Sequence, residues 1–163
     1  DIILSGINHG SNSSINILYS GTMGAAMEGA LHKIPSIGFS LLNFTPDADF
    51  TTAGKYAHDI VKNVMAMENN QNVCLNVNIP YGEPENIKGI KVTRQCPGEW
   101  KEDFQKNYHP SNKRPYYWLT GEYRNNAPEA TDTDEWALNN GYVSVQPVKV
   151  DNTDYEMMQR LKF

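Results

Sequence analysis

The sequence predicts an α/β fold: a parallel sheet covered by helices, with an antiparallel excursion in the C-terminal half. Three observations carry this. Strand and helix patterns alternate over short connections through the N-terminal half, both helical stretches repeat apolar residues at steps of three and four, and the pattern then shifts to polar, aromatic-rich strand signals. Ile2-Ile3-Leu4 reads as the end of a buried strand over 1–4. Residues 5–20 read as a long Gly/Ser/Asn loop, a length that in a compact domain points to function. Met23, Ala26, Met27, Ala30 and Leu31 place one apolar face on a helix over 22–32. Pro35 opens a strand through Ile37, Phe39 and Leu41, and Phe50, Ala53, Ala57, Ile60, Val64 and Met67 mark a helix over 49–67. Val73, Leu75, Val77 and Ile79 alternate with Cys74, Asn76 and Asn78 as a strand does. Strands are expected over 88–95 and 115–120, flanking a polar stretch with Trp100, Phe104 and Tyr108, which suggests a hairpin. Thr131-Asp132-Thr133-Asp134 is expected to cap a helix over 132–139 through its first threonine. Val143 and Val145 mark a strand, and Thr153-Asp154 caps a closing helix. One domain is expected across 1–163.

Composition narrows the function. The 163 residues carry 14 Lys+Arg against 19 Asp+Glu, a net charge of -5, which argues against a nucleic-acid polymer bound through counterion release. Two cysteines, Cys74 and Cys96, and no long apolar run argue against a disulfide scaffold and a membrane span, so a reduced, cytoplasmic setting is expected. The chain opens on Asp1, without a methionine or a flexible lead-in, and is expected to begin inside a domain.

The residues richest in chemistry are Ser5-Gly6-Ile7-Asn8-His9-Gly10-Ser11-Asn12 and Tyr19-Ser20-Gly21-Thr22. In a wound sheet, ligands bind beyond the carboxyl ends of the strands, where both runs are expected. Ser20, Gly21 and Thr22 stand where a helix leaves amides unpaired, suited to a phosphate oxygen, although Ser20 is equally suited to a simple cap. Asn8 offers a carbonyl oxygen for a hard cation, Mg²⁺ or Mn²⁺, or else serves the turn. One amide cannot hold such an ion. Asp1 lies on the order of 20 Å from it along the strand, and of Asp47, Asp49 and Asp59 only Asp47 is placed to approach. His9 is a candidate proton donor or a solvated bystander.

These residues resemble a known family. The two runs above, with Met23 through Gly29, Ile34-Pro35-Ser36-Ile37, Leu75 through Pro80, Gly89 through Arg94, Tyr117 through Gly121 and Gly141 through Pro147, are similar in order and wording to the SurE family of metal-dependent 5′/3′-nucleotidases. The resemblance implies a Rossmann-like fold with a projecting hairpin, a homodimer or homotetramer built through the C-terminal half, and hydrolysis of nucleoside monophosphates and short polyphosphate. It assigns Asn8 to the metal, and Asn12, Ser20, Gly21 and Thr22 to the substrate phosphate. It also implies an aspartate pair and a serine as metal ligands upstream of this motif, in segments the sequence does not contain. The expectation is therefore that a longer parent hydrolyses nucleotides with a divalent metal, and that residues 1–163 alone do so weakly or not at all. The alternative is a non-catalytic binding or assembly fragment. A serine hydrolase lacks its G-x-S-x-G elbow, and a dinucleotide-binding domain lacks G-x-G-x-x-G.

Overall fold

A computed structural model describes residues 1–163. Strand β1 spans Ile3–His9, a 3-10 turn spans Ser14–Tyr19, and helix α1 spans Gly21–Leu31. Strand β2 (Ser36–Leu41), helix α2 (Thr51–Met65) and strand β3 (Cys74–Ile79) follow. The C-terminal half contributes β4 (Ile90–Val92), β5 (Gly98–Tyr108), β6 (Pro115–Asn125), α3 (Asp134–Asn139), β7 (Val143–Pro147) and α4 (Tyr155–Arg160). No helix is long and apolar enough to cross a membrane.

Five strands form one sheet in the order β1-β2-β3-β7-β4. The first three are parallel, as the alternation of strand and helix requires, and β7 runs antiparallel to β3 and parallel to β4. The sheet is therefore mixed. The expected antiparallel excursion is the β5–β6 hairpin, whose arms pair only with each other. Its first arm is the polar stretch itself, because Trp100, Phe104 and Tyr108 fall on one face at even spacing and charged or polar residues fill most of the other positions.

The sheet buries two unlike faces. On one, Ile37, Phe39, Leu41, Val77, Ile79, Val143 and Val145 pack against Ala53, Ile60 and Val64 of α2 in the main apolar cluster. Burying side chains of this size stabilises by roughly 1.5–3 kcal/mol each, so this layer dominates the core. The other face carries Ser36, Ser40, Asn76, Asn78, Ser144 and Gln146, all buried. It is covered by α1, which adds a small apolar cluster of Ile17, Met23, Ala26 and Cys74. Helix α1 can lie close because Gly38 has no side chain: a Cβ there would collide with Met23 Sδ and stand 3.5 Å from Thr22 Cγ2.

Several boundaries differ from expectation, among them β6, which runs to Asn125 where the strand was expected to end at 120. The expected loop over 5–20 is strand as far as His9 and a 3-10 turn from Ser14, since pairing with β2 overrides the weak strand preference of Ser5, Gly6 and Asn8. Strand β4 keeps only three of the eight residues expected over 88–95. Helix α3 is capped by Thr133, whose Oγ1 accepts from Trp136 N at 3.2 Å, and not by Thr131.

Candidate functional site at the carboxyl ends of the parallel strands

A polar row crosses the sheet near these ends. Asn8 of β1 is in register with Ser40 of β2, Ser40 with Asn78 of β3, and Asn78 with Ser144 of β7. Asn8 is half-buried and its Nδ2 donates to Gly10 O at 3.0 Å, which turns its Oδ1 away as a free acceptor. Gly10 takes φ +84°, a left-handed conformation that favours glycine, and so allows this tight exit from β1.

Asparagines bind the next loop to the sheet. Asn78 Oδ1 accepts from Asn12 N at 2.7 Å and from Ser11 Oγ at 3.2 Å, while Asn76 Nδ2 donates to Asn12 O at 2.8 Å. Asn78 Nδ2 donates to Asn76 Oδ1 at 3.1 Å, and Asn12 Nδ2 donates to Ser40 Oγ at 2.6 Å. Asn12 is thus a buried cross-brace. Every fully buried side-chain polar atom has a partner, so the network rigidifies the loop without an orphaned group.

A second clamp comes from the far side of the loop. The buried Asp134 carboxylate accepts from Ser14 N at 2.7 Å through Oδ2, and from Cys96 N at 2.9 Å and Glu135 N at 2.8 Å through Oδ1. Glu135 Oε1 accepts from Ser13 Oγ at 2.5 Å. Burial pushes both carboxyls above the usual carboxylate range, with hydrogen-bond donors pulling them back in part. Ser14 Oγ donates to Cys96 O at 2.8 Å and accepts from Tyr123 OH at 2.8 Å, so the loop is also tied to the root of the hairpin. Burial raises the Tyr123 hydroxyl and both cysteine thiols, leaving Cys74 and Cys96 as inert buried thiols.

Helix α1 opens on the same sheet face as Asn8. Ser20 is its cap, with Oγ accepting from Met23 N at 3.1 Å. The amides of Gly21 and Thr22 precede the first intrahelical donor, Gly24 N, which donates to Ser20 O at 2.9 Å, and are left free by helix geometry; a Cβ added at Gly21 would meet nothing within 4 Å. Thr22 packs over Gly38 and Asn8 is in register with Ser40, two residues further along β2, or roughly 7 Å. His9 is not part of this grouping. It lies one residue from Asn8 on the opposite face, its exposed ring edge-on to Phe50 at 4.9 Å between centroids.

The donor set matches a hard cation in kind but not in number. Asn8 Oδ1 is a neutral oxygen, and no group of three or more His, Cys, Asp or Glu side chains stands where it could hold an ion. Asp47 is exposed, Asp49 accepts from Thr51 N at 2.8 Å at the start of α2, and Asp59 pairs with His58 at 3.2 Å.

A family model described as survival protein SurE matches residues 1–102. The chain belongs to the SurE family. The 5′-nucleotidase SurE of Flavobacterium psychrophilum is 50% identical over 161 residues, and that of Christiangramia forsetii is 51% identical over 161 residues. Each match covers 99% of this chain and 62% or 61% of the relative, so the chain spans about three fifths of the length of the curated relatives it matches. The crystal structure of the SurE protein from Aquifex aeolicus superposes with a TM-score of 0.81 at 43% identity, covering 99% of this chain and 64% of that one. The Rossmann-like sheet with its hairpin is therefore the SurE fold.

Within this SurE-family chain, Asn8, Ser20, Gly21 and Thr22 lie on one sheet face at the carboxyl ends, Asn12 braces the loop between them, and His9 faces away. Sequence reading missed Ser40, Asn76, Asn78, Asp134 and Glu135. The signal for the asparagines was their alternation with apolar residues in β3, which ordinarily marks a solvated face. Asp134 was legible only as part of a helix start.

Proposed function

We propose that the protein carrying this chain is a phosphomonoesterase that hydrolyses nucleoside 5′- and 3′-monophosphates, and short polyphosphate, with a divalent metal, Mg²⁺ or Mn²⁺. The observation that carries the reading is the placement of a free asparagine oxygen and an open helix N-terminus on one face at the carboxyl ends of parallel strands. The names of the similar relatives, 5′-nucleotidase SurE, support it.

The first-turn amides of Gly21 and Thr22, with the Thr22 hydroxyl, hold phosphoryl oxygens, and the positive end of α1 favours their charge. Ser20 keeps its Oγ as cap acceptor and still has a proton to donate. Asn8 Oδ1 supplies one metal ligand. No group of three or more His, Cys, Asp or Glu side chains stands beside it. When bound, a divalent ion neutralises a phosphomonoester of about two negative charges and activates water for in-line attack. Asn76, Asn78 and Asp134 hold the loop between Asn8 and α1 so that both ends keep their spacing.

Self-association as a homodimer or homotetramer belongs to the same reading. The hairpin exposes Phe104, Tyr108, Tyr116, Tyr117, Trp118 and Leu119, aromatic-rich surface of the kind that interfaces use. Light scattering that returned a monomer would remove this part. The exposed hairpin and the missing carboxylate cluster also favour a second reading, a non-catalytic binding or assembly fragment acting in the cytoplasm.

Crystals soaked with Mn²⁺ and a phosphate analogue separate the two. The proposal expects an anomalous peak at coordination distance from Asn8 Oδ1 and the anion at the amides of Gly21 and Thr22. A metal or anion bound away from both would leave the assembly reading.

A further inference from the structure

Two hydroxyls of the loop that joins Asn8 to α1 link the half-buried Glu135 of α3 to Asn78 of β3. Ser13 Oγ lies 2.5 Å from Glu135 Oε1 and 2.6 Å from Ser11 Oγ, and Ser11 Oγ lies 3.2 Å from Asn78 Oδ1. Ser11 Oγ also accepts from Ser13 N at 3.0 Å. Ser13 and Asn78 are fully buried, so these contacts are made within the protein and not through solvent. At the far end Asn78 Oδ1 can only accept. At the near end the carboxyl accepts when ionised and donates when protonated.

The number of protons on this chain of oxygens depends on Glu135. Ser11 and Ser13 bring one hydroxyl proton each to three oxygen–oxygen contacts. With Glu135 ionised, Ser13 donates to the carboxylate, the strongest of the three bonds because its acceptor is charged. The Ser11 proton then serves Ser13 Oγ at 2.6 Å and not Asn78 Oδ1 at 3.2 Å, since two bare oxygens repel more at the shorter distance. Ser11 is left facing Asn78 without a proton between them. With Glu135 protonated, the carboxyl donates to Ser13, Ser13 to Ser11 and Ser11 to Asn78, and every contact is filled. The carboxyl proton therefore adds one bond between the loop and β3. It does so at the strand residue that is in register with Ser40 and, through Ser40, with Asn8.

We infer that Glu135 is a positioning residue whose proton, through Ser13 and Ser11, sets how firmly the loop between Asn8 and α1 is seated on Asn78. The titratable groups that face Glu135 are Asp134 beside it on α3 and, at the hairpin root, Cys96 and Tyr123. Burial raises the thiol and the phenol, so both stay neutral while carboxyls titrate, and no Lys, Arg or His makes a salt bridge to Glu135. Burial lifts the Glu135 carboxyl above its ordinary range, the Ser13 hydroxyl offsets part of this, and the neighbouring Asp134 adds to it. A carboxyl raised in the folded state stabilises on its protonated side, so the extra bond is present at acid pH and is lost as the pH rises through the lifted value. The effect on substrate rests on the nucleotidase reading: a loosely seated loop weakens the hold of the first turn of α1 on phosphate.

Glu135→Gln and Ser11→Ala test it in the full-length gene product. Glutamine keeps a donor toward Ser13 at every pH, and alanine removes the step to Asn78. Amide hydrogen exchange over residues 10–19 is measured between about pH 5 and 8, each rate divided by that of the unprotected chain at the same pH. One hydrogen bond is worth about fivefold. Wild-type protection is expected to fall by about that factor across the range. Glu135→Gln should hold the wild-type acid value throughout, and Ser11→Ala the lower value throughout. The wild-type KM for adenosine 5′-monophosphate, divided by that of Glu135→Gln so that substrate ionisation cancels, should rise with pH by a similar factor at unchanged kcat. Wild-type protection that does not vary with pH, or a full-sized pH dependence that persists in either variant, would overturn the inference; persistence in Ser11→Ala would assign the effect to repulsion between Asp134 and Glu135. A KM ratio that stays flat would overturn the positioning role. Absence of phosphate release from all three proteins would count against the nucleotidase reading alone, since exchange still decides whether Glu135 seats the loop.

Discussion

Asp134→Ala is expected to lower the unfolding free energy by about 3–5 kcal/mol, the largest stability loss of any single substitution outside the apolar layer. The wild-type carboxylate accepts three backbone amides, from Ser14, Cys96 and Glu135, in a fully buried position. Alanine leaves these donors without partners, and each buried orphan costs about 1–3 kcal/mol. The melting temperature should fall by on the order of 10 °C. Asp134→Asn is expected to lose less, because the amide oxygen can still serve Cys96 and Glu135. Its NH₂ group then faces Ser14 N, so the loop bearing Ser13 and Ser14 loosens first, read as faster amide exchange there than in β2 or β3. A loss below about 1 kcal/mol for Asp134→Ala would show that this clamp does not hold the loop.

Asn8→Ala is expected to lower the metal-dependent nucleotidase rate by on the order of 100-fold or more, equivalent to about 2.7 kcal/mol of transition-state stabilisation. The fold should survive, since the Asn8 side chain makes one hydrogen bond, to Gly10 O two residues away, worth about 1 kcal/mol. Asn8→Asp keeps an oxygen at the same place and should retain more activity than Asn8→Ala. Steady-state phosphate release with a parallel melting curve checks both. An unchanged rate in a folded Asn8→Ala protein would remove Asn8 from the site.

Much of the architecture was legible because the apolar periodicities of β2, α2 and β3 are local signals of burial on the α2 face. Strand β1 was cut short because Ser5, Gly6 and Asn8 carry no strand preference of their own, and only pairing with β2 extends it to His9. The reversed direction of β7 was not legible, since Val143 and Val145 read alike in either orientation. Asn8, Ser20, Gly21 and Thr22 could be picked out because strand ends and helix starts are where polar side chains and free amides gather. The roles of Asn76, Asn78 and Asp134 depend on partners more than 35 residues away in sequence, Asn12, Ser14 and Cys96. No local pattern announces such bonds. The α1 face of the sheet shows the consequence: Ser40, Asn76 and Asn78 are buried there and hold the loop through Asn12.

In the proposed function, Asn8 and the first turn of α1 form the part of a nucleotidase site that this chain contributes. Phosphate release from a nucleoside monophosphate by the full-length gene product, with Mn²⁺ or Mg²⁺ and again after chelation, tests it most directly. Turnover is expected with the metal, with loss on chelation and recovery when the metal is restored. No turnover under any of these conditions, or turnover indifferent to chelation, would contradict it.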